Sequence, residues 1–159
     1  MPRKLTRNLN KKLDRKLHRL PSVNNIRIFF CPEQMIAALT CRIKRSSTIV
    51  GCVAWVTHPK ILSALETVDA TLIMTKHKSN HWKRRIKVKY VGFGRGKKAA
   101  LMHHKFLVGV DDQGPAWVSF GSFNLTNGGM TNLENMVIAE DRSMAKVFYQ
   151  EYTSILALW

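Results

Sequence analysis

The segment that decides how this chain folds lies between residues 101 and 141 and falls into three pieces: HHKFLVGVDD (103–112), VSFGSFN (118–124) and NLENMVIAED (132–141). The first two read as β-strands, and successive side chains on a strand project to opposite faces, so that residues two apart share one. His103 and Lys105 therefore project together, an imidazole beside a fixed cation. Ser122 and Asn124 form a second pair at the same spacing if the chain stays extended past Gly121, and they supply two neutral hydrogen-bonding groups. A nucleophile or acid–base group, a cation and two neutral polar groups suit a site that grips a phosphate. By the same alternation His104 falls on the other face, as a packing or surface residue.

Outward from this segment the chain alternates strand and helix. Residues 26–30 read as a short strand, and Pro32 opens a helix carrying Met35, Ile36, Leu39 and Ile43 at helical spacing. Strands are expected at 48–56, 71–75 and 86–91, with a helix at 59–66. From Arg142 to Leu158 the apolar residues Phe148, Tyr152, Ile155 and Leu156 share one helical face, which suits a helix docking on the sheet. The fold class that follows is α/β, a mixed β-sheet flanked by helices in one layered domain, without internal repeats.

The 159 residues are one domain's worth, 45% hydrophobic, and suffice to bury a core. Their net charge of +16 and pI near 10.3 point to a polyanionic partner, either nucleic acid or an acidic membrane surface. The charge is concentrated in two blocks. Residues 3–19 hold eight Lys or Arg against Asp14 alone, and residues 76–98 hold ten with no acid. Such a run is usually a solvated face, but two of them flank a phosphate-directed site here. Leu5, Leu9, Leu13 and Leu17 recur every four residues within the first block, so residues 1–22 are expected to form a basic arm or amphipathic helix that packs on the domain or a partner, tracks DNA, or lies on a membrane surface, with a transit-peptide-like segment as a minor further reading.

Cys31, Cys41 and Cys52 lack metal-ligand spacing and are expected as reduced, buried thiols. His77 and His81, four apart, have no cysteine pair or acidic ligand to complete a zinc site and read as solvated histidines in a basic loop. Gly92, Gly94 and Gly96, followed by Lys97 and Lys98, lack the strand–loop–helix context of a nucleotide-binding loop and read as a basic turn. No stretch reaches the roughly 20 apolar residues that span a membrane, and no secretory signal is recognisable, so an intracellular, cytoplasmic protein is expected.

The ordered set His103, Lys105, Gly121, Ser122 and Asn124 resembles the HxK…D…GSxN signature of the phospholipase D superfamily, whose members include lipases, phosphatidyltransferases and small metal-independent nucleases. The motif portion covers about a quarter of the chain. The resemblance implies a phospholipase D-like catalytic domain over residues 23–159, with no metal and no other cofactor. It implies catalytic roles for His103, Lys105, Ser122, Asn124, Glu134 and Asp111, with Glu134 as the acid that orients the nucleophilic imidazole. One spacing departs from the family: five residues, 106–110, separate Lys105 from Asp111 where the family has four. A one-residue bulge at Gly109 would return Asp111 to the family's side of the strand. The plainer alternative is that residues 111–114 form a polar turn.

Cleaving a phosphodiester without metal requires one group to attack phosphorus and another to protonate the leaving oxygen, and one motif supplies one histidine. The resemblance therefore implies a homodimer in which His103 of each subunit faces the other across a two-fold axis. The leading expectation is a nuclease acting on DNA in preference to RNA. The alternatives are a lipid phosphodiesterase or phosphatidyltransferase at a membrane surface, and a non-catalytic nucleic-acid-binding module.

Overall fold

The computed structural model describes residues 25–92 and 101–158. The expected amphipathic helix of residues 1–22 and the glycine-rich turn beyond Gly92 lie outside these residues.

Seven strands and three helices follow in order: β1 (Ile26–Phe29), α1 (Pro32–Lys44), β2 (Thr48–Val53), α2 (Pro59–Leu65), β3 (Asp69–Thr75), β4 (Lys87–Val91), β5 (Lys105–Asp111), β6 (Gly114–Gly121), β7 (Met136–Ala139) and α3 (Arg142–Ala157). The strands form one mixed sheet in the order β1-β7-β6-β5-β2-β3-β4. The β2, β3 and β4 strands pair in parallel, while β2–β5, β5–β6, β6–β7 and β1–β7 pair antiparallel. Proline at the first turn of α1 and α2 starts both helices where its missing N–H costs nothing. Asp141 caps α3 by accepting the Met144 backbone N–H at 2.8 Å.

Strand alternation divides the interior into two cores. On one face Leu107, Trp117, Ile49, Val53, Leu72 and Ile138 meet Met35, Leu39 and Ile43 of α1 and Ile61 and Leu65 of α2. On the other, Val50, Cys52, Phe106, Val108 and Val118 meet Ala145 and Tyr152 of α3, with Phe148 packed alongside. Helices on both faces of a mixed sheet are the layered arrangement expected from the alternating pattern. The Cys52 thiol lies in the second core, where burial pushes its pKa up to about 12; all three cysteines are free, but against expectation Cys31 is only half-buried and Cys41 is exposed.

The expected bulge needs correcting. A register shift does occur between Gly109 and Val110, but Gly109 pairs Trp117 and Val110 pairs Pro115, so the extra residue is Ala116 of β6. Against β2, strand β5 stays regular, with Ile49 opposite Gly109 and Thr48 opposite Val110. Glycine at 109 has another cause. A Cβ there would lie 1.9 Å from Nε1 of Trp117, whose indole crosses the strand and donates to Ser46 Oγ at 3.0 Å. The glycine makes room for a tryptophan, and β5 needs no bulge.

Candidate active site

The pairing directions determine which ends meet. Because β5 runs opposite to β2 and β6, and β7 opposite to β6, the entrances to β5 and β7 lie along one sheet edge with the exits of β2, β3 and β6. His103 and Lys105 stand at the entrance to β5, Ser122 just past β6, Glu134 just before β7, and Trp55 just past β2. Residues distant in sequence thus converge because strands end there.

The parity argument holds for the histidines. Lys105 Nζ lies 3.3 Å from both ring nitrogens of His103 and donates to the His103 carbonyl at 2.9 Å. Two nitrogens of one imidazole point in diverging directions, so a single Nζ equidistant from them is aligned with neither lone pair. The carbonyl anchors the lysine, and the imidazole is exposed. His104 projects to the α3 side, with Nε2 3.3 Å from Glu151 and its ring edge against Phe106. Lys105 is half-buried, and this desolvation lowers its pKa below the usual lysine range while the nearby Glu134 carboxylate opposes the shift.

The second pair does not arise as expected. Strand β6 ends at Gly121, where φ is +152°, and the chain leaves the extended path. Ser122 and Phe123 donate their backbone N–H groups to the Asn135 carbonyl, at 3.1 and 3.3 Å, and Asn135 N–H returns a bond of 3.0 Å to Ser122 Oγ. The Ser122 hydroxyl donates to Glu134 Oε2 at 2.5 Å, and Asn132 donates to Glu134 Oε1 at 3.3 Å. Glu134 therefore faces Ser122 and Asn132 with its two oxygens and forms no hydrogen bond to His103. Its charge reaches the site through Lys105. Asn124 keeps Oδ1 buried without a partner. Its neighbour Leu125 forms a parallel bridge with Val56, and the Leu125 carbonyl accepts from Thr57 and His58 at 2.9 Å each. This bridge sets Asn124 in register with Trp55.

Asp111 is not brought to this edge. It lies six residues along β5 from Lys105, about 20 Å at the usual strand rise. Exposed there, it accepts from Arg142 Nη2 at 2.6 Å and Nη1 at 3.1 Å and from the Gln113 N–H at 2.9 Å. The guanidinium holds its carboxyl below the usual range. With β5 unbulged, residue 111 joins the turn into β6 and fastens the start of α3.

Two residues at the site carry no signature in the sequence. Trp55 presents its ring edge-on to His103, with centroids 5.6 Å apart and planes at 80°, and to His77, at 6.2 Å and 82°. The fully buried Asn80 holds the segment beneath it, donating to the Ala54 carbonyl at 2.7 Å and the Thr75 carbonyl at 2.9 Å and accepting from Val56 N–H at 3.3 Å. Trp55 ends a hydrophobic run that reads as plain strand, and the weak available hint was its place at a strand exit. Asn80 sits in a basic stretch where nothing suggests burial. His77 and His81 have separate surroundings: His77 Nδ1 is 2.6 Å from Ser79 Oγ, while His81 stacks on Tyr90.

Part of the second basic block is neutralised locally, Arg84 by Glu66 at 2.8 Å and Lys87 by Asp69 at 2.9 Å. Lys76 and Lys78 flank His77 beside the site and form no ion pair with the described acids. No helix among the described residues is long and apolar enough to cross a membrane.

Comparison with known proteins gives a consistent picture. A family profile described as "Cardiolipin synthase, PLD-like domain" matches residues 28–156. Among solved structures, NucT from Helicobacter pylori superposes with a TM-score of 0.69 at 18% identity, over 83% of this chain and 95% of that one. Nuc from Salmonella typhimurium, described as a phospholipase D family member, superposes with a TM-score of 0.63 at 19% identity, over 81% and 91% of the two chains. No curated protein matches the sequence.

Proposed function

The chain belongs to the phospholipase D-like domain family, and from that premise we propose that it is a metal-independent phosphodiesterase, a nuclease cleaving DNA in preference to RNA, whose catalytic centre is completed by a second subunit. The observation that carries this reading is the contact of Lys105 with His103 at the sheet edge that also gathers Ser122 and Asn124. His103 attacks phosphorus, the P–O bond to the leaving group breaks, and His103 of the partner subunit donates a proton to the departing oxygen. Water, deprotonated by that second imidazole, then attacks the phosphohistidine and frees His103. Lys105 from both subunits and the Asn124 amide balance the charge on the non-bridging oxygens. Ser122, its proton directed to Glu134, holds the loop to β7. Asp111, bonded to Arg142 at the far end of β5, takes no part in these steps. The net charge of +16 favours nucleic acid as the polyanion.

A second reading has its own support. The family description names a lipid enzyme, and an open, largely apolar cleft of about 460 Å³ lined by Val91, Leu101, Met102, Ile155 and Leu158 reaches His103. In that reading the same imidazole attacks a phospholipid headgroup ester.

The test incubates purified protein in excess EDTA with labelled single- and double-stranded DNA, RNA and anionic liposomes. Metal-free cleavage of DNA is the expected result, release of headgroups alone would favour the lipid reading, and inertness towards all four would defeat both. Sedimentation at active concentrations should show a dimer, and an active monomer would rule out the shared centre.

The Glu134–Lys105 coupling gives a pH prediction. A nearby carboxylate stabilises the protonated amine, so Glu134→Gln removes an opposing influence and lets desolvation lower the Lys105 pKa further. Activity needs the ammonium form. The alkaline limb of the kcat/KM profile should consequently move to lower pH in the variant, and a limb that stays in place or moves up would separate Lys105 from the titration.

A further inference from the structure

We infer that Trp55 is a substrate-contacting residue, donating its indole N–H to an oxygen of the phosphodiester held at His103, an inference that rests on the phosphodiesterase reading above.

Three tryptophans fall among the described residues, and their N–H groups are treated differently. Trp82 Nε1 donates to the Val56 carbonyl at 2.9 Å, and Trp117 Nε1 donates to Ser46 Oγ at 3.0 Å. Trp55, the one tryptophan of the three at the candidate site, donates to no acceptor among the described residues. A half-buried indole beside a catalytic imidazole thus keeps one polar atom uncommitted. Tryptophan is an N–H donor only, so the complementary group must be an acceptor. At this edge that acceptor is a phosphate or ester oxygen.

The donor is also held in advance. On one side of Trp55, Ala54 donates its N–H to the His104 carbonyl at 2.9 Å and accepts from Asn80. On the other, Val56 is held by Asn80, by the Trp82 indole and by the bridge to Leu125. That bridge aligns Trp55 with Asn124, and the indole lies against the His103 ring in a T-shaped contact. Trp55 therefore touches one member of the site and lies in register with another, and its large, rigid side chain loses little freedom when it binds. A fixed donor aimed where phosphoryl charge develops is worth more than a mobile one, because no reorganisation is needed during reaction.

The experiment compares wild type, Trp55→Phe and Trp55→Ala in EDTA, using bis(p-nitrophenyl) phosphate and a labelled oligonucleotide, with thermal unfolding as the check on folding. Phenylalanine keeps a ring against His103 and removes the N–H. Its kcat/KM should fall about 10- to 100-fold on both substrates, in line with loss of one fixed donor, while its unfolding midpoint stays near that of wild type. Alanine removes the wall as well, and should lower kcat/KM further. A Phe variant as active as wild type overturns the N–H contact. If wild type cleaves nothing, the phosphodiesterase reading fails, and orthovanadate binding by calorimetry decides Trp55 separately: weaker binding by Trp55→Phe supports the contact, and equal binding overturns it.

Discussion

His103→Ala is expected to lower metal-free phosphodiester cleavage by about 10⁴-fold or more, the scale on which enzymes lose rate when a nucleophile or its partner base is removed. The expectation follows from what surrounds the residue. His103 is the imidazole that Lys105 contacts, and neither nearby histidine can take its place. His104 projects to the α3 side beside Glu151, and His77 lies across Trp55 with Nδ1 directed to Ser79. In a shared centre the same substitution removes both the attacking nitrogen and the acid of the partner subunit, since one gene change alters both copies. The fold should be spared, because His103 is exposed and its ring packs against Trp55 at the surface. The measurement is initial rate on labelled DNA in EDTA, paired with circular dichroism. Cleavage within tenfold of wild type by a folded His103→Ala protein would remove His103 as nucleophile and with it the two-subunit mechanism.

Gly121→Ala should impair both stability and activity. The φ of +152° is one that L side chains rarely adopt, at a cost of about 1–3 kcal/mol. A Cβ there would also lie 2.4 Å from the Asn135 carbonyl oxygen, a backbone atom. That oxygen cannot retreat freely because it accepts from both Ser122 and Phe123, while Asn135 N–H holds Ser122 Oγ. Relief of the clash must displace the loop that positions Ser122 and Asn124. Strain and crowding together should destabilise the protein by about 2–4 kcal/mol, and the displaced loop should lower kcat/KM by about 10²-fold. Gly114→Ala provides the control: its φ is +102°, but a Cβ there would meet nothing within 4 Å. It should carry strain alone and leave activity near wild type. Equal unfolding midpoints for the two variants would show that crowding at Asn135 is unimportant.

Strand parity placed His103, Lys105 and His104 correctly because those residues lie on, or directly before, a regular ladder. Its pairing of Ser122 with Asn124 required an extended chain past Gly121, and that condition fails because the ladder stops there, where hydrogen bonds to Asn135 turn the chain. The Gly109 expectation had the right position and the wrong cause: a glycine can open a bulge or admit a neighbour's ring, and only the Trp117 contact distinguishes them. Element boundaries shifted by a few residues, as at β2, expected to reach Val56 and ending at Val53. There the chain leaves the ladder and Asn80 takes over its hydrogen bonds.

By itself the sequence determined the α/β class and most of the strand and helix order, since these follow from local periodicity, and it singled out one ordered segment as the candidate site. Only the tertiary structure decided which residues share the sheet edge. It joined Trp55, Asn80, His103 and Leu125 across the exits and entrances of separate strands, turned Glu134 towards Ser122, and sent Asp111 to Arg142 at the far end of β5. Those choices depend on strand direction, register and long-range hydrogen bonds, which no local spacing encodes.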